Sequence, residues 1–128
     1  MLVANRENFV QPLNNIQTFL KRFDHFKGGE FRSLEVITPT TILVTLAGQD
    51  EARAFDWISV KLEISNVSDA VLLDASKLSL LDMNDGISII NTNNSLAFGI
   101  GECYNLSSIK SSSCFIECSN IKYEEGLF

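Results

Sequence analysis

His25, Cys103, Cys114 and Cys118 would supply the four histidine and cysteine ligands of a structural zinc site. A structural zinc site draws on close knuckles such as C-x₂-C or H-x₃-H, and these spacings are missing. Cys114 and Cys118 instead share one face of a β-patterned run with Ile116, where thiols act as small hydrophobes. They are expected in the core, and no metal is expected. Asp82-Met83-Asn84-Asp85-Gly86 has the acids and glycine of a calcium loop. Counted back from Gly86, however, the first ligand position falls on Leu81 and the twelfth on Thr92, so the stretch reads as a turn.

Nucleophilic chemistry is poorly supplied. His25 is the single histidine and follows Asp24, but no serine or cysteine sits in a nucleophile turn such as G-x-S-x-G. A histidine at the end of a helix has a simpler role, since its charged form suits the carbonyl end. The carboxylate pairs Asp50-Glu51, Asp82 with Asp85, and Glu124-Glu125 all fall in expected turns or ends. Gly99-Ile100-Gly101 stands alone and is no phosphate loop. No catalytic residue and no cofactor is expected, and the reading leans against an enzyme.

Charge directs attention to the surface. The net charge is −6, and its distribution is uneven: residues 1–35 carry +1 and residues 36–128 carry −7. Such a surface repels phosphate backbones, which argues against nucleic acid and favours a basic protein partner. Asp50, Glu51, Asp82, Asp85, Glu124 and Glu125 are the acids expected on loops. Trp57 and Tyr104 are of the types that dominate interfaces, with Trp57 placed either over a second core under the helix or at the surface.

The elements that must position these residues are one helix and a set of strands. Phe9, Leu13, Ile16, Leu20 and Phe23 recur at helical spacing, predicting an amphipathic helix over about 9–23. Pro12 is tolerable only in its first turn, which puts the regular start near Gln11 and the cap at Asn8 or Gln11. Lys21 and Arg22 then suit the carbonyl end, and Gly28-Gly29 closes the segment. From Glu30 the period becomes two. Phe31 is out of step, which predicts a bulge, and Thr38-Pro39-Thr40 makes a turn. Ile42, Val44 and Leu46 then face Ile58, Val60, Leu62 and Ile64 across a loop from Gly48 to Arg53. This hairpin, residues 40–64, founds the core. Residues 67–83 fit neither period and lean toward strands and turns. Asn91-Thr92-Asn93-Asn94 predicts a hairpin, and roughly 105–113 a Ser/Asn-rich connector. A slip at Ser119-Asn120 predicts a bulge in the last strand.

The fold class expected is therefore α+β in one domain, 1–128. One N-terminal amphipathic helix packs on a curved, mostly antiparallel sheet or sandwich of six to seven strands, with the β-rich part over 30–125. Three cysteines, no signal-like N-terminus and no apolar run approaching a membrane span predict a cytoplasmic protein without a membrane partner.

Several stretches carry a family likeness: Phe23-Asp24-His25, Thr41-Ile42-Leu43-Val44-Thr45-Leu46, Phe55 to Ile64, and Ile121-Lys122-Tyr123-Glu124-Glu125. In that order they resemble small acidic bacterial proteins of the toxin-immunity type. The resemblance implies a non-enzymatic protein-binding module that neutralises a basic toxin through its acidic surface. Two alternatives stand beside it. One is a small-ligand-binding protein or enzyme whose pocket lies between helix and sheet, with His25 or Cys103 at its mouth. The other is a structural or oligomerising subunit.

Overall fold

A computed structural model describes residues 10–92 and 94–128. Its elements in order are β1 (Val10–Pro12), α1 (Ile16–Arg22), β2 (Glu30–Thr38), β3 (Thr41–Asp50), β4 (Asp56–Ser65) and β5 (Asp69–Val71). There follow β6 (Ile87–Thr92), β7 (Ser95–Ile100), α2 (Leu106–Lys110), β8 (Phe115–Cys118) and β9 (Asn120–Leu127). The fold is α+β, with antiparallel strands in two sheets. The first sheet has the order β1-β9-β4-β3-β2 and the second β5-β8-β7-β6.

The hairpin at the heart of the sequence forms over its whole length, from Thr41 opposite Ser65 to Asp50 opposite Asp56. Alternation puts Ile42, Val44 and Leu46 beside Ile64, Leu62 and Val60 on the inner side of the first sheet, all buried. Ile89, Phe98 and Ile116 supply the facing side of the second sheet, and both sets share one core with Ile16, Phe19 and Leu20 of α1. The expected bulge near Phe31 is present, as a register shift between Phe31 and Ser33.

Four expectations need correction. The helix is shorter than 9–23, because Asn15, not Asn8 or Gln11, caps it: its side chain accepts from Thr18 N at 3.0 Å. Gln11 and Pro12 pair instead with β9 as an edge strand, a place where a missing N–H costs little. Asn8 and Phe9 lie outside the described residues. The six to seven strands become nine among the described residues, the extra ones being the short β1 and the division of the last segment. The slip at Ser119 is not a bulge but the crossing between sheets, since Cys118 pairs with Leu96 of β7 and Ile121 with Ile64 of β4. Finally, the connector over 105–113 contains α2, a second helix where only an N-terminal one was expected. A capping box between Asn105 and Ser108 starts it. Ile109 seats it against the outer side of the second sheet, where a Cβ on Gly99 would meet the Ile109 side chain at 3.1 Å. The ambiguous stretch 67–83 holds one short strand, β5, and a 3-10 turn over Ala75–Leu80.

After α1 the chain makes an unusual turn. Asp24, His25 and Phe26 have φ of 51°, 57° and 59°, a left-handed run that costs roughly 1–2 kcal/mol per non-glycine residue. Phe26 offsets part of this by complete burial and by stacking on Phe23, with ring centres 4.7 Å apart.

Candidate functional site

Asp50 occupies the inner face of β3, in phase with Leu46 and Gly48, and that parity buries it completely. A carboxylate there requires a charged partner. Arg22, in the last turn of α1, provides it: Nε donates to Oδ1 and Nη2 to Oδ2, each at 2.7 Å. Arg22 Nη1 also donates to Glu125 Oε2 at 2.8 Å, and Arg53 bridges Glu125 Oε1 at 2.8 Å and Asp50 Oδ2 at 3.3 Å. Two guanidinium groups and two carboxylates therefore tie α1, the hairpin tip and β9 together. The Arg22 hydrogen bonds hold the Asp50 carboxyl below the usual carboxylate range, against the opposing effect of burial. Arg22 is pushed further up, first by Asp50 and then by Glu125, and stays charged. Asp50, expected on an exposed loop, is thus a buried structural acid; β3 runs through it before the turn begins.

The turn itself is a 3-10 segment, Glu51–Arg53, which Asp50 caps by accepting from Ala52 N at 2.9 Å. Ala54 and Phe55 follow with φ of 56° and 67°. A bulky residue in this region is an outlier, and here it is a phenylalanine that is 60 % exposed. Phe55 N donates to Asp50 O at 2.8 Å, and Gln49 Nε2 to Phe55 O at 3.3 Å, so the strained backbone is pinned. Trp57 lies on the outer side of β4, 37 % exposed and away from the core under α1. Its ring centre is 5.3 Å from that of Phe128, and Arg32 lies over the other ring at 4.1 Å while donating to Phe128 O at 2.8 Å. Phe55, Trp57 and Phe128 place exposed aromatic surface at one end of the first sheet.

The remaining acids divide. Glu51 and Asp56 stand exposed beside the aromatic rings, without an ion pair among the described residues. Glu125 belongs to the arginine network. Glu124 stands opposite Lys61 on the outer side of the sheet. Asp82 and Asp85 sit on the turn before β6, and Asp82 accepts from Asn84 N at 2.9 Å. The six acids therefore do not form one surface. Sequence reasoning missed Arg22 and Arg53 as their counter-ions, and Phe55 and Phe128 as companions of Trp57. One signal was available for Phe55: a phenylalanine inside an otherwise polar turn has no core to enter.

A cleft of about 300 Å³ opens between α1 and β6. Gln17 and Leu20 form one wall, His25 and Lys27 another, and Asp85, Glu102, Cys103 and Tyr104 the rest, along the edge of β6 at Ile87–Ile90, where Ile87 and Ile89 turn their side chains into the core. His25 and Cys103, far apart in sequence, both line it. Three loops are cross-tied around it. Gly86, with φ of +68°, lies so close to the left-handed turn that a Cβ would stand 2.0 Å from His25 O. Gly101 N donates to Gly86 O at 2.8 Å. The buried Ser88 hydroxyl donates to Gly101 O at 2.6 Å and accepts from Cys103 N at 2.9 Å. Burial raises the Cys103 thiol, which is the opposite of activation as a nucleophile.

No family model, curated protein or solved structure matches this chain. Among the described residues, no helix is long and apolar enough to cross a membrane.

Proposed function

We propose that this chain is a non-enzymatic protein-binding module whose contact surface is the hairpin tip, and that its partner is a basic protein, a toxin domain being the kind its resemblance implies. The observation that carries this reading is Phe55: a strained left-handed backbone holds an exposed phenylalanine in the groove it shares with Trp57, which in turn packs on Phe128. Strain of this kind persists where the surroundings enforce it and concentrates at functional positions. Exposed Trp and Phe of this sort act as interface anchors. Glu51 and Asp56 frame them, while Arg22 and Arg53 are held by Asp50 and Glu125. The tip thus offers carboxylates at one margin, where a cationic partner would engage, while Lys21 and Lys27 line the groove beside Phe55 and Trp57. The acidic surface of the original expectation contracts to Glu51 and Asp56 around this aromatic centre, with Asp50 and Glu125 bracing it from behind.

Co-expression with the product of the neighbouring reading frame tests the proposal. A complex that survives purification, is lost in Trp57→Ala and is weakened in Glu51→Lys is the expected result. If that product neither binds nor loses its toxicity in the presence of this chain, and the variants behave as the parent does, the proposal fails.

A further inference from the structure

Phe128 rests on a small platform made by side chains of two other strands. Trp57 of β4 supplies one part, its ring centre 5.3 Å from that of Phe128 and its plane tilted by 54°. Arg32 of β2 supplies the other. Its guanidinium carbon lies 4.1 Å from the Phe128 ring centre, and Nη1 donates to Phe128 O at 2.8 Å. Strands β4 and β3 separate β9 from β2 in the sheet, so Phe128 and Arg32 meet across them. Glu30 steadies the arginine by accepting from its Nε at 2.9 Å.

The platform is anchored, whereas its occupant is loosely held. Trp57 pairs with Gln49 inside the long β3–β4 ladder, and Arg32 lies within β2. Phe128 follows the last residue of β9 and keeps 56 % of its surface exposed, and Leu127 before it keeps 96 %. Neither belongs to the hydrophobic core. Segments with so few buried apolar contacts open locally at little cost.

We propose that Trp57 and Arg32 form an exchangeable site for an aromatic residue with an acceptor oxygen, filled by Phe128 until the partner supplies such a residue in its place. The incoming ring packs on Trp57 and under the guanidinium, and Arg32 Nη1 donates to its carbonyl or carboxylate oxygen. An aliphatic residue forgoes both ring contacts, and a basic one meets the like charge of Arg32. The inference rests on the hairpin-tip reading for the source of the incoming residue, and not for the site itself. Because Phe128 competes from within the chain, an external ligand binds more weakly by the fraction of time the site stands open.

Trp57 is the single tryptophan, so its fluorescence reports the site directly. The test titrates N-acetyl-L-phenylalanine into the parent and into Phe128→Ala, with N-acetyl-L-alanine and phenethylamine as controls lacking the ring and the acceptor. Phe128→Ala should bind the probe with a Kd of about 1–10 mM and at least about threefold more tightly than the parent. Both controls, and Arg32→Gln added to Phe128→Ala, should weaken binding by about threefold or more. Both substitutions are of side chains that reach solvent, and an unchanged amide NMR spectrum establishes that each variant is folded. The proposal is overturned if Phe128→Ala shows no saturable change below about 20 mM, if parent and variant bind alike, or if either control binds as well as the probe. These outcomes need no partner and leave the hairpin-tip reading untouched. Where the co-expressed partner binds, Phe128→Ala should tighten the complex by a similar factor. A weakened complex would make Phe128 itself a contact and overturn the exchange, while leaving the tip as the binding surface.

Discussion

Arg22 clasps Asp50 with two parallel hydrogen bonds of 2.7 Å, joining the end of the first helix to the end of the third strand across 28 positions of sequence. Asp50 is fully buried, whereas Arg22 keeps about a quarter of its side chain in water. Removing one member of a fully buried pair costs roughly 3–5 kcal/mol. Because Arg22 can rehydrate, Asp50→Ala is expected to cost less, about 2–3 kcal/mol in urea unfolding. A double-mutant cycle with Arg22→Met should return a coupling of about 1–3 kcal/mol. A coupling near zero would mean that the two residues act separately.

The same pair sets an acid dependence. Asp50 binds its proton less readily in the folded chain than in the unfolded one. Between the two pKa values the unfolded state holds more protons, so stability rises with pH there. The contribution is present above the unfolded carboxylate value and is lost as pH falls through the folded one. Urea midpoints measured from neutral pH into the acid range should therefore fall less steeply for Asp50→Asn than for the parent. Parallel profiles would contradict the assignment.

Thiol reactivity divides the three cysteines. Burial pushes Cys114 and Cys118 up to about 11, and both are inaccessible in the core. Cys103 is partly exposed in the cleft. In the native protein at neutral pH, one thiol should react with a disulfide reagent, slowly, and Cys103→Ser should abolish that phase. All three should react in denaturant.

Gly86 holds the cleft together by having no side chain. Alanine there meets the His25 carbonyl and must adopt a φ of +68°. Gly86→Ala should cost about 2 kcal/mol or more, and it should speed alkylation of Cys103 as the loops part. An unchanged unfolding midpoint would contradict this packing.

Much of the scaffold was legible because strict alternation over Thr41–Leu46 and Trp57–Ile64 leaves one register that buries all the aliphatics. What failed did so for identifiable reasons. The helix start was misplaced because Leu13 continues the apolar stripe even though Pro12 and Asn15 already divide strand from helix. α2 has only Leu106 and Ile109 as apolar residues, too few to show a period; its packing over Gly99 is a long-range fact. Asp50 looked like a solvated turn residue in the run Gln49-Asp50-Glu51-Ala52-Arg53. Its parity with Ile42, Val44 and Leu46 pointed inward, but its counter-ion lies on another element. The cleft joins residues 17–27, 85–90 and 102–104, and no local pattern brings these together.

The claim that the hairpin tip is displayed for a partner is tested most directly at Phe55, by substituting glycine. Left-handed backbone costs a non-glycine residue roughly 1–2 kcal/mol, and glycine's extra freedom in the unfolded chain gives back roughly 0.5–1 kcal/mol of that. With the Phe55 ring mostly in solvent, the net effect on stability should lie between zero and a gain of about 1 kcal/mol. The decisive measurement is urea unfolding and partner binding on the same Phe55→Gly protein. A midpoint equal to or above the parent's, together with loss of the partner, is expected. A clear fall in stability with partner binding intact would show that Phe55 serves the fold and not recognition.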